Sequence, residues 1–317
     1  MIPVTVLTGY LGSGKTTLVN HILTRQHGRR IAVIENEFGE IGVDGALVVG
    51  TDEELILMNN GCVCCSIRGD LIRTLNDLMR KQDRFDAILI ETTGLADPAP
   101  VAQSFFVDDE LKSHLALDAI VTVVDSKHIH ARLGDSREAK EQVAFGDVIL
   151  LNKTDLVPAG DVDDLEKRVR AMNALASIHR TVNSEIDLSK VLGVGAFDLS
   201  RRLEVAPDFL ASSEHHHDPA IGSVSLRVGG PVDGRRLNAW LGGLLKTRGG
   251  DIFRMKGIVE VKGEPRRVVF QGVHMMFDGR PDRPWKDGED RSGVLVFIGR
   301  NLPKDELRLG LESCRAQ

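Results

Sequence analysis

The sequence predicts an α/β fold, with a mostly parallel sheet in a large amino-terminal domain and a smaller α+β domain behind it. In the first part of the chain, short apolar segments alternate with helical patterns, as in parallel sheets covered on both faces. After residue 220 the segments alternate as antiparallel strands do. The length of 317 residues suits one large and one smaller domain. We therefore predict a first domain at residues 1–195, a linker at 196–220 and a second domain at 221–317.

The composition is that of an ordinary globular protein, with 42% hydrophobic and 27% charged residues. The formal net charge of -6 gives no support to a nucleic-acid partner, which favours a basic surface. The chain begins without a signal-peptide pattern, and no apolar run reaches the roughly 18–20 residues that span a membrane. We predict a cytoplasmic protein with neither a nucleic-acid nor a membrane partner. Cysteines stay reduced there, so clustered ones indicate metal binding or catalysis before disulfides.

The first predicted strand, residues 2–8, runs into a glycine-rich loop, Gly9–Thr17. Its sequence GYLGSGKTT matches the complete pattern G-x-x-x-x-G-K-[ST]. Glycines let backbone N–H groups converge on a phosphate, Lys15 reaches the β- and γ-phosphates, and Thr16 offers its hydroxyl to magnesium. The segment predicts a P-loop NTPase domain.

A second predicted strand, residues 30–34, is followed by a segment rich in carboxylates and glycines, Glu35–Asp44. Such a segment after a strand suits a mobile switch that senses the nucleotide. An acidic surface loop is the alternative.

Three of the four cysteines, Cys62, Cys64 and Cys65, lie within four positions. They follow a short predicted strand at residues 55–58 and precede a predicted helix that begins at residue 67. A helix N-terminus favours thiolates, which select zinc or, as alternatives, cobalt, nickel or copper(I). Structural zinc sites take four ligands, whereas one turn supplies at most three sulfurs, and adjacent cysteines do not easily face one ion. The cluster thus suits an open site for a metal that arrives and leaves; buried cysteines without a ligand role, or a redox dithiol, are the alternatives.

Two further motifs follow predicted strands. Residues 85–90 end at Glu91, in ETTGLADP, where a carboxylate contacts magnesium or its water and Gly94 can sense a γ-phosphate through its N–H. Residues 148–151 open into Asn152-Lys153-Thr154-Asp155, the N-K-x-D pattern. An Asp carboxylate can only accept hydrogen bonds, which matches the N1–H and exocyclic amine of guanine but not adenine. We therefore predict GTP as the nucleotide, with a second base-contacting loop near residues 181–184.

The predicted linker contains His215, His216 and His217 between acidic residues. They suit either the transfer of a metal or a solvated linker in which the histidines are incidental. The second domain is predicted to have strands at 223–228, 251–261, 266–271 and 293–298, and helices at 233–245 and 303–314.

Motifs along nearly the whole chain resemble those of the CobW family of P-loop GTPases, and especially its YjiA-type members. In the first domain these motifs are GYLGSGKTT, ENEFGEIGVD, NGCVCCS, ETTGLADPAP and LNKTD. In the second they are RMKG, FQGVH, DRPW and LVFIGRNLP. The resemblance implies a slow, metal-responsive GTPase that acts as a metal chaperone or insertase for a client metalloprotein, with zinc as the most general cargo.

The resemblance also implies residue roles. The phosphates would be bound by Gly12, Ser13, Gly14, Lys15, Thr16 and Thr17, with Thr16 on magnesium. Guanine would be bound by Asn152, Lys153 and Asp155. The cargo metal would be bound by Cys62, Cys64 and Cys65, with Glu37 as a candidate additional ligand. Lys15 would neutralise charge in the reaction, and the carboxylates near it by motif are Glu37, Glu40 and Glu91.

Two points stay open in the sequence. The chain could instead be a zinc-sensing GTPase switch that binds a client without delivering metal. A nucleotide-dependent homodimer is a further candidate partner arrangement.

Overall fold

The computed structural model describes residues 1–25, 28–35, 57–59, 67–80, 85–199 and 221–316. They fall into two compact units. The first comprises Met1–Glu166 and Ala176–Phe197, and the second comprises Lys167–Leu175 and Asp198–Gln317. Residues 200–220 of the predicted linker, with its three histidines, lie outside the described residues, so the predicted linker boundaries stay a prediction.

The first unit is built on a seven-stranded sheet whose neighbouring strands are all parallel. The strand order is β3-β2-β4-β1-β5-β6-β7. The strands are β1 (Ile2–Thr8), β2 (Ile31–Glu35), β3 (Leu57–Asn59), β4 (Ala87–Glu91), β5 (Leu115–Asp125), β6 (Val148–Asn152) and β7 (Ser177–Arg180). The prediction of an α/β domain with a mostly parallel sheet is confirmed.

Seven helices are described between and after these strands. They are α1 (Lys15–Thr24), α2 (Ile67–Met79), α3 (Ala99–Val107), α4 (Asp109–His114), α5 (Ile129–Asp135), α6 (Arg137–Phe145) and α7 (Ala159–Met172). One apolar face of α1, formed by Leu18, Val19 and Ile22, packs on β1 and its neighbouring strands. The central strands β5 and β6 are buried along nearly their whole length, which explains their continuous apolar sequences.

The second unit contains a five-stranded antiparallel sheet in the order β11-β10-β9-β12-β8. Its strands are β8 (Ile221–Val228), β9 (Ile252–Val259), β10 (Arg266–Val273), β11 (Met276–Pro284) and β12 (Gly293–Arg300). Two helices, α8 (Gly234–Arg248) and α9 (Lys304–Ser313), join one face of the sheet in a single apolar core. The predicted α+β domain is confirmed, although the sequence prediction lacked β11.

No helix in the part of the chain that the structure describes is long and apolar enough to cross a membrane.

One buried carboxylate stabilises the first unit. Asp118, on β5, accepts hydrogen bonds from the Thr5 hydroxyl at 3.3 Å and from the backbone N–H groups of Gly193, Val194 and Gly195 at 2.8, 3.1 and 2.6 Å. It therefore joins β1, β5 and the loop at residues 193–195. Hydrogen bonds to charged groups contribute more than neutral ones, and buried donors left without an acceptor are costly.

We predict that Asp118→Asn lowers the free energy of unfolding of the first unit by about 2 kcal/mol, because an amide replaces one of two acceptor oxygens by a donor. Urea unfolding followed by far-UV circular dichroism would measure this, with the fluorescence of Trp240 and Trp285, which both lie in the second unit, used to identify the transition of that unit. The matched control is Asp109→Asn, because the Asp109 side chain is 96% exposed. Equal unfolding curves for the two variants would contradict this role of Asp118.

Candidate functional site

The predicted functional residues converge on the edge of the sheet where parallel strands end. The loop Gly9–Gly14 follows β1, Glu91 ends β4, and Asn152 ends β6. Open parallel sheets bind their ligands at this edge, outside the carboxyl ends of the strands. The structure therefore places the phosphate loop and the N-K-x-D segment side by side, although about 140 residues of sequence separate Ser13 from Asn152.

The phosphate loop requires glycine at position 14 for two reasons. Its φ angle is 111°, in the region that favours glycine. A Cβ atom there would also lie 2.4 Å from Nδ2 of Asn152. Any side chain at this position would push the loop away from β6.

Lys15, at the start of α1, is a buried cation. Its Nζ donates to the Gly9 carbonyl at 2.9 Å, across the loop. Burial lowers the pKa of Lys15, and the nearby Glu91 carboxylate opposes that shift. An ammonium held in a poorly solvated place favours binding of an anion that replaces the lost solvation.

Buried hydroxyls surround the same loop. The Oγ atoms of Thr8, Ser13 and Thr93 are buried, and no hydrogen-bond partner for them lies among the described residues. Buried polar atoms are normally paired, so such a group of hydroxyls is typical of a site that a polar ligand completes. With Lys15 and the N-terminus of α1, they fit a phosphate chain.

Thr16 and Glu91 provide oxygen atoms beside the loop. The Thr16 hydroxyl donates to Oε1 of Glu91 at 3.3 Å, which joins α1 to the end of β4. Hydroxyl and carboxylate oxygens are the ligand types that magnesium prefers. The predicted pair is thus brought together and fits a magnesium ion, whereas Thr17 is simply exposed on α1.

Asn152 holds three segments together with its side-chain amide. Nδ2 donates to the Ser13 carbonyl at 2.9 Å and to Oγ of Ser184 at 3.0 Å. Oδ1 accepts from the Ser184 N–H at 2.7 Å and from the Thr181 hydroxyl at 3.1 Å. Both donors and the acceptor are therefore used inside the protein, and the predicted contact of Asn152 with a base stays a prediction. The loop at residues 181–184 lies where the second base-contacting loop was predicted.

Lys153 provides a second hydrogen-bonded connection to the phosphate loop. Its Nζ donates to the Gly12 carbonyl at 2.6 Å and to Oδ2 of Asp125 at 2.8 Å. Burial raises the pKa of Asp125, but hydrogen bonds from Lys153 and His128 outweigh it and leave that pKa below its usual value. The sequence analysis missed Asp125, although its place at the end of β5, next to β6, was a signal that could have identified it.

Asp155 differs from its neighbours because its side chain is exposed. It lies in the short 3₁₀ turn Thr154–Leu156, which is anchored by a hydrogen bond from Oγ1 of Thr154 to the Thr181 carbonyl at 3.1 Å. An exposed carboxylate on a fixed turn, beside the loop at 181–184, can accept hydrogen bonds from an incoming ligand.

The loop after β4 lies directly on the phosphate loop. The Thr92 N–H donates to the Leu7 carbonyl at 2.9 Å, and a Cβ atom at Gly94 would lie 2.7 Å from the Leu11 nitrogen. Only glycine permits this approach. A side chain that the sequence analysis missed, Gln142 on α6, donates to the Gly94 and Ala96 carbonyls.

The predicted metal ligands Cys62, Cys64, Cys65 and Glu37, and the carboxylate of Glu40, lie outside the described residues. The residues described contain no group of three or more His, Cys, Asp or Glu side chains arranged to hold a metal ion.

Comparison with protein families matches both parts of the chain. The family "CobW/HypB/UreG, nucleotide-binding domain" matches residues 3–180. The family "Cobalamin synthesis protein cobW C-terminal domain" matches residues 221–315.

Relatives of known name match the chain over most of its length. The zinc chaperone YjiA of Escherichia coli is 38% identical over 319 residues, which cover 99% of each chain. The zinc-regulated GTPase metalloprotein activator 1 of Schizosaccharomyces pombe is 41% identical, over 95% of this chain and 83% of its own. The crystal structure of Zn(II)-bound YjiA GTPase from E. coli superposes with a TM-score of 0.79 and 34% identity over 99% of both chains.

We predict that Asn152→Ala releases the loop at 181–184 from the phosphate loop, because the Ser184 N–H loses its acceptor. Hydrogen exchange at this amide should become at least about tenfold faster, as expected for loss of a local buried hydrogen bond. The amides of β6, such as Ile149, serve as an internal control because their ladder hydrogen bonds remain. Unchanged hydrogen exchange at Ser184 would contradict the role of Asn152 in holding the loop at 181–184 to the phosphate loop.

Proposed function

Because the chain belongs to the CobW/HypB/UreG family, we propose that it is a GTP-hydrolysing metal chaperone or insertase that couples its nucleotide state to the binding and transfer of a metal. The metal is zinc or a similar transition metal, and the recipient is a client metalloprotein. The observation that carries this proposal is the register at the sheet edge. Asn59 of β3 pairs with Glu35 of β2, which pairs with Glu91 of β4.

These pairings place the starts of the two segments with predicted metal ligands near the nucleotide site. Adjacent strands lie about 4.8 Å apart, so Asn59 lies roughly 10 Å from Glu91. The chain leaves β3 at Asn59, three residues before Cys62, and leaves β2 at Glu35, two residues before Glu37. Both segments with predicted metal ligands thus begin at the edge that carries the phosphate loop. This supports a metal site that responds to the nucleotide.

In the proposed nucleotide site, the phosphate loop and Lys15 bind the phosphates of GTP. Thr16 and Glu91 would hold magnesium, which when bound neutralises charge on the β- and γ-phosphates. Lys153 and Asn152 fix the loops, and the exposed carboxylate of Asp155 accepts from the two guanine donors. The side chain of Asp155 is the group that would make the site prefer GTP to ATP.

Hydrolysis in this site would rest on positioning and charge. Lys15 is placed to neutralise the charge that develops on the transferred phosphoryl group. Glu91 is held at Thr16, a position that suits a magnesium partner better than a base for the attacking water. We propose that Glu37, or a group that the client supplies, orients the water, so that hydrolysis alone is slow and responds to metal.

The cargo site consists, in this proposal, of Cys62, Cys64 and Cys65 with Glu37 as the additional ligand. Thiolates favour zinc, and the names of the relatives, a zinc chaperone and a zinc-regulated GTPase, support the same metal. A γ-phosphate that orders the segment after β2 would position Glu37 for the metal. By thermodynamic linkage, bound metal must then strengthen the binding of GTP by the same factor.

We predict that a non-hydrolysable GTP analogue with magnesium tightens zinc binding by the reduced protein at least about tenfold, a typical size for coupling between two sites. A zinc titration with and without the analogue measures the effect, which should be lost in Cys64→Ala. The matched control is Cys314→Ala, because Cys314 is buried in the core of the second unit.

Zinc affinity that is indifferent to the nucleotide would contradict the proposed coupling. If coupling is found, activation of an apo-client by the zinc-loaded, GTP-bound form distinguishes a chaperone from a zinc-sensing switch. Client binding without metal transfer would favour the switch.

A further inference from the structure

We propose that Gln142, on α6, is a positioning residue for the loop after β4, which would sense the γ-phosphate. Its amide holds Gly94 against the phosphate loop, where the Gly94 N–H can contact a γ-phosphate and so distinguish GTP from GDP. This inference rests on the proposed GTPase function and assigns a role to a residue that no motif includes.

The side-chain amide of Gln142 donates to the loop that follows β4. Nε2 donates to the Gly94 carbonyl at 3.2 Å and to the Ala96 carbonyl at 3.1 Å. One amide thus holds two carbonyls of the same loop, using both of its N–H groups. Gln142 is only 1% exposed, so water does not readily replace these bonds.

The oxygen of the same amide contrasts with its nitrogen. Oε1 of Gln142 is buried, and within the described ranges nothing donates a hydrogen bond to it. A buried acceptor without a partner is unfavourable. The contribution of this side chain therefore depends on its two donated bonds, which both go to the loop after β4.

These two bonds maintain a close contact between Gly94 and the phosphate loop. Gly94 lies so close to the phosphate loop that an added Cβ would be 2.7 Å from the Leu11 nitrogen and 2.8 Å from its Cα. If Gln142 released the loop, Gly94 could move away from Leu11. The distance from the Gly94 N–H to a γ-phosphate on the phosphate loop would then no longer be fixed.

Gln142 is itself anchored to the sheet. The Thr122 hydroxyl, on β5, donates to the backbone carbonyl of Gln142 at 2.8 Å. The same strand ends at Asp125, which holds Lys153 and through it the Gly12 carbonyl. Strand β5 therefore positions the phosphate loop and the loop after β4 relative to each other.

A cavity of about 310 Å³ adjoins these contacts, and Leu11, Thr122, Gln142 and Lys153 are among its lining residues. Gly12 and Lys153 of the proposed nucleotide site also line it, whereas Ser13, Gly14, Lys15, Thr16 and Asp155 do not. The space beside Gln142 allows the side chain to be replaced by an unbranched apolar one of similar length without a clash.

The test compares nucleotides with and without a γ-phosphate. The dissociation constants of GDP and of a non-hydrolysable GTP analogue, both with magnesium, are measured for the wild type, Gln142→Met and the control Lys140→Met. Lys140 lies on the same helix and, within the described part of the chain, donates only to the Gly134 carbonyl, at 3.2 Å. Gln142→Asn, which keeps the amide but shortens its reach by one carbon, gives a second variant should the first not fold.

We expect both Gln142 variants to bind the GTP analogue about tenfold more weakly, in line with loss of the hydrogen bonds to the Gly94 and Ala96 carbonyls. Binding of GDP should change by less than about twofold, because GDP has no γ-phosphate to contact Gly94, and kcat/KM for GTP should fall with the analogue affinity. The Lys140→Met variant should match the wild type.

Equal weakening of both nucleotides would show that Gln142 only stabilises the fold and would overturn the proposal, as would unchanged binding of both. A wild-type protein that binds neither guanine nucleotide would instead overturn the proposed function, and the role of Gln142 with it.

Discussion

The side-chain amide of Asn152 is the interaction on which the geometry of the site depends. It bonds the phosphate loop at Ser13 and the loop at residues 181–184, and it is buried at the end of β6. A buried amide is favourable only when its donors and acceptor are satisfied, so each partner constrains the others. Gly14 must lack a side chain because this amide occupies the space. Hydrogen bonds within the protein therefore join the three segments into one unit.

The residues around Asn152 form a site that suits a polyanion. Lys153 and Asp125 fix the phosphate loop at Gly12, while Lys15 provides a buried cation whose pKa is lowered by its burial. Because these hydrogen bonds within the protein restrain the loop, less conformational freedom is lost when a ligand binds. The groups that would contact the ligand most directly, Thr16 and Asp155, are by contrast exposed. A phosphate loop held by internal hydrogen bonds, together with exposed contact groups, suits a site that a nucleotide enters and leaves repeatedly.

The same sheet edge links the proposed nucleotide site to the proposed metal site. The pairing of Asn59, Glu35 and Glu91 is backbone geometry, so the segments that follow β2 and β3 begin close to the magnesium side of the nucleotide site. Coupling between nucleotide and metal then requires no long pathway through the protein. Gln142 adds a constraint on the loop after β4, which would detect the γ-phosphate.

The sequence predicted those parts of the structure that depend on local patterns. The phosphate loop, Glu91 and the N-K-x-D segment each follow a continuous apolar strand, and their order along the chain was enough to place them at one edge. The sequence alone could not predict the contact of Asp125 with Lys153 or that of Gln142 with Gly94. These partners lie 28 and 48 residues apart, and neither Asp125 nor Gln142 belongs to a motif.

Short or exposed elements were missed for a different reason. Helices α3 to α6 have 6 to 9 residues each, which is too few turns for a clear apolar stripe. Strand β11 lies at the edge of its sheet, is largely exposed and contains Pro281 and Pro284, so it lacks the alternation of a buried strand.

The base preference of Asp155→Asn decides whether the protein recognises guanine in the way described. In the proposed site, the Asp155 carboxylate accepts hydrogen bonds from the N1–H and the amine of guanine, next to the loops that Asn152 holds together. An amide would instead offer one acceptor and one donor, which match the N1–H and C2 carbonyl of xanthine. Competition binding of GDP and xanthosine diphosphate should therefore show that the wild type prefers GDP and that the variant prefers xanthosine diphosphate, with a change in the affinity ratio of at least about 100-fold. An unchanged preference for GDP in the variant would contradict the account.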